Sequence, residues 1–308
     1  MNLLGLFLNP ISHLPFWVLH RFSDLTYFWV YHVFGYRKKV VWENLKGSFP
    51  EKSDQEILQI QKKFYRNFCD LIFESIKSFT IGEQEILERC QFENPELVNK
   101  LFAEGKNIAG ISSHMGNWEW LALAGPLTVK HKVLVLYKTL ANKKINQIVV
   151  TSRERLGSVF ITVKGLRTAL KQSHERPFFL ALLSDQAPHD YSKAFEVPFL
   201  NRPTFFVPGP GMFCAQKDLQ PVFGWIKRVG RSRYLFRFEA LEGRLPVMGD
   251  LTSSEQEQVI RVSKANRLSE EDGVKAFAIT KKFAERLEAE IKMAPQDWLW
   301  SHRRWKIR

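Results

Sequence analysis

The sequence lacks the features that announce metal or disulfide chemistry. Its three cysteines, Cys69, Cys90 and Cys214, lie far apart and form no CxxC pair, so neither a zinc site nor a disulfide framework is expected and a reducing compartment fits. The helical zinc pattern HExxH is absent as well, and no metal ligation is expected. Acidic residues are scarce relative to basic ones: 32 Asp and Glu face 45 Lys and Arg, a formal net charge of +13. Such a surface favours polyanions, whether nucleic acid, anionic lipid headgroups or an acidic carrier protein. No internal repeat and no low-complexity linker divides the 308 residues, and a hydrophobic content of 45% supplies a sizeable core rather than disorder.

A clean transmembrane run is also missing. The apolar stretch from Leu3 to Tyr36 is interrupted by His13, His20, Arg21, Asp24 and His32 and broken by Pro10 and Pro15. It has no basic n-region and no small-residue cleavage pattern, so no cleavable signal is expected. Residues 15–34 match the roughly 20 residues that a bilayer span needs. Arg21 and Asp24, however, are close to one helical turn apart and each would be costly at the bilayer centre. The better reading is an interfacial anchor helix or a span partly covered by protein, followed by the basic cluster Arg37-Lys38-Lys39, which suits anionic headgroups. An amphipathic core helix with a basic C-terminal cap is the alternative. Nine Trp and 25 Phe beside abundant cations favour a membrane surface over nucleic acid as the partner.

What is present is an alternation of strand and helix patterns. Ser53 caps a helix over residues 54–79 whose apolar positions Ile57, Ile60, Phe64, Phe68, Leu71 and Ile72 share a face. Strands are predicted over 107–113, 132–137, 158–163 and 178–183, with helices over 117–124, 142–156 and 166–172 between them. Two further strands, 220–228 and 234–240, are joined by a short basic turn and expected to be antiparallel, and an amphipathic helix over 274–292 closes the chain. The fold class is therefore α/β, a mixed central sheet flanked by helices, with residues 1–39 as a hydrophobic membrane-anchor or interfacial segment and 40–308 as the main domain.

Chemistry concentrates in Ile111-Ser112-Ser113-His114-Met115-Gly116-Asn117-Trp118-Glu119, where a strand passes into a helix, the place where α/β proteins carry reactive groups. In one continuous helix His114 and Glu119 would point roughly 140° apart. His114 must therefore precede the helix, with Gly116 supplying the turn, so that Glu119 swings back toward the imidazole. A carboxylate on one ring nitrogen fixes the tautomer and makes the other a general base for an acceptor hydroxyl or amine. Backbone amides near Gly116 are candidates for holding the resulting oxyanion.

The string from His114 to Glu119 resembles the H-x-G-N-W-[ED] signature of the lysophospholipid acyltransferase superfamily, and within it the lipid A biosynthesis (lauroyl/myristoyl) acyltransferase branch. The resemblance extends from Phe34-Gly35-Tyr36-Arg37, Asn44-Leu45 and Phe49-Pro50 to Trp298-Leu299-Trp300-Ser301-His302-Arg303-Arg304-Trp305. It implies a glycerolipid acyltransferase-like fold and transfer of a fatty acyl chain from acyl-ACP or acyl-CoA to a membrane lipid, with a lipid A precursor as the leading acceptor. Other phospholipids, aminolipids or glycolipids are the runner-up. In this family the histidine is the base and the acidic residue orients it, without metal or organic cofactor, and the resemblance also implies work at the cytoplasmic face of a bacterial inner membrane. Carried over position by position, Asn117, Lys138, Arg153, Arg155 and Lys164 are candidate substrate contacts. At most one of the two arginines should face the site, and Lys164 stands where the superfamily carries a phosphate-binding Arg. Asp185-Gln186 resembles the family's D-Q block, expected to orient acceptor or donor, and Val197 to Leu200 with Pro203 to Phe206 resemble a loop over an acyl channel. A non-catalytic basic protein of the membrane surface is the rival from another class.

Overall fold

In chain order, the N-terminal third is helical. α1 (Leu3–His13) and α2 (Phe16–Tyr27) are followed by a wide helical turn, then α3 (Lys38–Ser48), α4 (Asp54–Lys77) and α5 (Glu83–Arg89). α4 begins on a capping box in which Ser53 and Glu56 satisfy each other's backbone amides, a device worth about 1 kcal/mol. β1 (Cys90–Phe92), α6 (Pro95–Ala103), β2 (Ile108–Ser112), α7 (Trp118–Thr128), β3 (Lys132–Tyr137), α8 (Lys143–Glu154), β4 (Val159–Thr162), α9 (Leu166–Lys171) and β5 (Phe178–Leu183) then alternate. A hairpin of β6 (Phe195–Phe199) and β7 (Arg202–Phe206) leads through α10 (Gly209–Lys217) to the long ribbon β8 (Gln220–Gly230) and β9 (Arg233–Ala240), and α11 (Ser253–Asn266) and α12 (Glu270–Met293) close the fold. The computed structural model describes residues 3–172, 176–241 and 246–305.

Seven strands form one sheet in the order β1-β9-β8-β2-β5-β3-β4. β8 and β9 pair antiparallel and every other neighbouring pair is parallel, so the sheet is mixed as the strand pattern predicts. β2 is buried along its whole length, as befits a central strand covered on both faces. Its neighbour β5 runs in register with it, Ile108 opposite Phe179 through Ser112 opposite Leu183.

The N-terminal helices are packed into this body. Phe16 and Tyr31 belong to the main core, and Asp70 of α4 holds Ser23 of α2 together with Arg228 and Arg231 of the β8–β9 ribbon. No helix among the described residues is long and apolar enough to cross a membrane, so a spanning N-terminal anchor has no support. Helical hydrogen bonding is interrupted around Pro15, and polar side chains of α2 are committed to the body, Ser23 to Asp70 of α4 and His20 and Asp24 to Ser232 and Arg231 of the β8–β9 turn, which leaves no continuous apolar cylinder. Apolar side chains nonetheless face out beside the exposed Arg21, Asp24 and His32: Trp17 and Phe34 are 70% and 74% exposed, and Phe22, Leu25, Phe28, Trp29, Val33 and Tyr36 also face out.

Two segments expected to roof a channel do not. Val197, Phe199, Leu200 and Phe206 are buried, and the Phe199 and Phe206 rings pack on each other and on Trp298, Trp305 and Phe283. The run is a β-hairpin of the core, a short apolar pattern that does not distinguish a lid from packing.

Candidate active site

β2 ends at Ser112, and the chain turns through Gly116, whose φ of +50° is a left-handed conformation that glycine adopts at little cost. α7 then starts at Trp118 with Asn117 as N-cap, its Oδ1 accepting from Trp120 N at 2.9 Å. His114 thus precedes the helix, as the spacing requires. Its partner is different from the one expected. The imidazole Nδ1 lies 2.7 Å from Asp185 Oδ1, while the other carboxylate oxygen of Asp185 accepts His114 N–H at 3.0 Å and the Trp298 indole N–H at 2.8 Å. Glu119, placed beside the imidazole by sequence reasoning, turns instead to Arg153 and forms an ion pair with it. The reason is the sheet: β5 delivers Asp185 next to His114 through the strand register, and a long-range pairing of that kind leaves no trace in local spacing.

The electrostatics follow from this pairing. Burial pushes the pKa of His114 down, but the Asp185 charge and hydrogen bond, helped by the Glu119 charge, outweigh it and leave the pKa raised. Burial pushes Asp185 up, but His114, the backbone amide and Trp298 pull it down to about 2. Asp185 is therefore a carboxylate at neutral pH, and with Nδ1–H donating to it the His114 Nε2 carries the lone pair. That Nε2 receives the Gln186 side-chain amide at 3.2 Å, and the Trp118 ring stands over the imidazole at 4.8 Å between centroids.

Nε2 borders a cavity of about 420 Å³ between α7, α8 and the sheet, within the usual range for a ligand site. Its polar residues, His114, Gln186, Lys138, Glu119 and Arg153 together with Ser112, Tyr137 and Asn146, gather at the C-terminal ends of β2, β5 and β3 and on the facing helices. Val129, Val133, Phe179 and Phe238 line it toward the opposite end. Gly110 keeps that end open to the Phe179 ring, since a Cβ there would sit 2.0 Å from a ring carbon. The walls along the cavity are almost wholly apolar, a shape and chemistry that fit a hydrocarbon chain with its reacting group at His114.

The remaining candidates divide. Lys138 lines the cavity with its Nζ 3.5 Å from His189 Nε2. Arg153 lines it, whereas the Arg155 guanidinium is spent on the carbonyls of Ser78 and Ile81, so one of the two arginines faces the site. Lys164 is exposed beyond β4 and does not border the cavity. Asn117 is buried, donates to Glu74 Oε2 at 2.8 Å and does not border the cavity. The Gly116 amide donates to Asp297 O at 3.0 Å and is not open to an oxyanion. Among the described residues, no group of three or more His, Cys, Asp or Glu side chains could hold a metal ion.

The C-terminal segment, read from sequence only as part of a resemblance, has a structural reason to be there. Leu299 N donates to His114 O at 3.1 Å, so residues 297–299 run antiparallel beside the histidine loop. Arg37 donates to Ser301 O, and Asn44 donates to Trp300 O and His302 O, each at 2.9 Å. The two ends of the chain are thus clasped together behind the site.

A family model described as bacterial lipid A biosynthesis acyltransferase matches residues 3–307. Comparison with curated proteins found no match.

Proposed function

Because the chain belongs to the bacterial lipid A biosynthesis acyltransferase family, and is thus an acyltransferase acting on lipid, we propose that it moves a fatty acyl chain from acyl-ACP or acyl-CoA to a hydroxyl or amine of a membrane lipid, with a lipid A precursor as acceptor. The observation that carries the reading is an Asp185-bound His114 whose Nε2, accepting from the Gln186 amide, stands at the polar mouth of an apolar cavity. The donor's acyl chain lies in the cavity and its thioester carbonyl reaches His114. Nε2, released by the Gln186 amide as the acceptor takes its place, receives the acceptor proton while the acceptor oxygen or nitrogen attacks that carbonyl. The tetrahedral oxyanion finds the Gln186 amide and the Arg153 guanidinium as side-chain donors. It collapses by breaking the carbon–sulfur bond, and the thiolate takes the proton back from the imidazolium. No acyl-enzyme intervenes: Ser112 Oγ donates to Gly224 O, and Ser113 is fully buried.

The exposed aromatic side of the N-terminal helices, with Arg37, Lys38 and Lys39 behind it, supports docking in the headgroup region of an anionic, cytoplasm-facing bilayer. The acidic carrier of an acyl-ACP suits the net charge of +13. The test combines purified protein with acyl-ACP or acyl-CoA and a lipid A precursor and follows the products by mass spectrometry, beside the His114→Ala variant. Acylated precursor that depends on His114 supports the reading. Transfer to glycerophospholipid alone moves the acceptor elsewhere, and no transfer to any lipid removes the activity.

A further inference from the structure

Glu74 is a carboxyl that the reaction does not use, in a place where a carboxyl is expensive. It lies in α4, 2% exposed, and burial without full compensation costs stability. Burial pushes its pKa up, against the pull of Arg228 and of the Tyr234 hydroxyl. Its Oε2 accepts two hydrogen bonds, from Asn117 Nδ2 and from Tyr234 OH, each at 2.8 Å. Its Oε1 closes no hydrogen bond among the described residues, and the nearby Ser232 hydroxyl is engaged with His20. One turn of main chain adds a third tie: Glu74 O accepts the Trp120 indole N–H at 3.1 Å.

These contacts converge on the turn that follows the catalytic histidine. The Asn117 amide is held by its nitrogen on Glu74, which aims its oxygen at Trp120 N and starts α7 at Trp118. Trp118 stands over the imidazole, and Glu119 holds Arg153 at the cavity. Without the Glu74 carboxylate the Asn117 Nδ2 loses its acceptor, only the Trp120 N bond then holds the side chain, and the first turn of α7 can drift relative to His114. We propose that Glu74 is a positioning residue for acyl transfer, setting through Asn117 the placement of Trp118 and Glu119 around His114. A neutral hydrogen-bonding side chain suffices for this, because what Asn117 and Tyr234 require at that point is an acceptor oxygen.

The inference rests on the acyl-transfer reading, and the experiment keeps the two apart. Glu74→Gln and Glu74→Leu are compared with the unsubstituted chain in steady-state assays with acyl-ACP and lipid acceptor. Hydrogen exchange is measured in the first turn of α7, and thermal melting confirms that each variant is folded. Glu74→Gln is expected to keep kcat within a fewfold. Glu74→Leu is expected to lose about a hundredfold in kcat, the scale of a displacement of about 1 Å, with little change in the KM for either substrate and faster exchange confined to the start of α7. Equal losses in both variants, a loss carried by acceptor KM alone, or unchanged exchange in the Leu variant overturns the inference. Absence of transfer by the unsubstituted chain instead defeats the functional reading, and the exchange comparison still decides the role of Glu74.

Discussion

His114 and Asp185 stand at equal height above neighbouring parallel strands. The last register pair of β2 and β5 joins Ser112 to Leu183, Ser184 N donates to Ser112 O at 3.0 Å, and each functional residue lies two positions further on. The dyad is therefore a product of sheet register, and a one-residue slip of β5 would point Asp185 away from the imidazole.

Asp185→Asn tests this pairing. It removes the charge that holds the His114 pKa up while keeping the size of the side chain. kcat/KM should fall about a hundredfold, within the range of general-base contributions. In the unsubstituted chain the base must be neutral, so activity should be lost as pH falls through a His114 pKa above 6.5. In the variant that inflection should move to lower pH. A pH–rate profile checks both, and an inflection that stays in place assigns the titration to another group.

Trp298→Phe keeps an aromatic ring beside Trp300 and Trp305 but removes the N–H that Asp185 accepts. A hydrogen bond to a charged group is worth about 1.5–3 kcal/mol, so kcat/KM should drop by roughly ten- to a hundredfold with the melting temperature nearly kept. Full activity in the variant would show that Asp185 is held well enough by the His114 loop alone.

Gly125→Leu projects a side chain into the cavity from α7, where the nearest atom to an added Cβ is Val133 Cγ2 at 4.0 Å. Each methylene that loses its place is worth about 0.8 kcal/mol. Room lost for two should cost long-chain donors roughly tenfold relative to short ones. Competition assays with acyl donors of graded length read the shift directly. Phe179→Ala, which removes the ring that the absence of a Cβ at Gly110 admits, should move the preference the other way.

Asp297→Asn addresses stability. Burial raises the Asp297 carboxyl to about 6, against the pull of Arg228 and Asn67. The folded chain therefore holds a proton that the unfolded chain releases near pH 4, and stability falls as pH rises between those values. Asparagine keeps an oxygen for Asn67, which donates to Asp297 Oδ1 at 2.6 Å. Denaturant unfolding at pH 7 should show a gain on the order of 2 kcal/mol, shrinking toward pH 4. A loss at pH 7 would mean that the attraction of the Arg228 charge outweighs the burial cost.

Much of this architecture is legible in the sequence because it is local. The strands β3 and β5 and the helix start at α7 follow from apolar runs, a glycine and a cap, and the α4 helix follows from Ser53 and its apolar face. What was hidden depends on distant pairing. Asp185 was visible as a site residue but not as the partner of His114. Glu74 sat unremarked in a helix read as packing. Arg155 looked like a ligand contact until the carbonyls of Ser78 and Ile81 claimed it. The signal for Trp298 lay in the C-terminal run of tryptophans, although nothing in that run says which carboxylate an indole will meet.

The clasp between Arg37, Asn44 and residues 300–302 has a temporal meaning. Synthesis proceeds from the N-terminus, so His114 and Asp185 leave the ribosome long before Trp298 and Leu299, which brace them. β2 and β5 can pair before residues 297–302 are made, whereas the Trp298 indole that Asp185 accepts and the Leu299 amide on the His114 carbonyl arrive only with that later segment. The bracing of the pair is thus added last, and a chain cut after Met293 would lack both the Trp298 indole on Asp185 and the Leu299 amide on the His114 carbonyl.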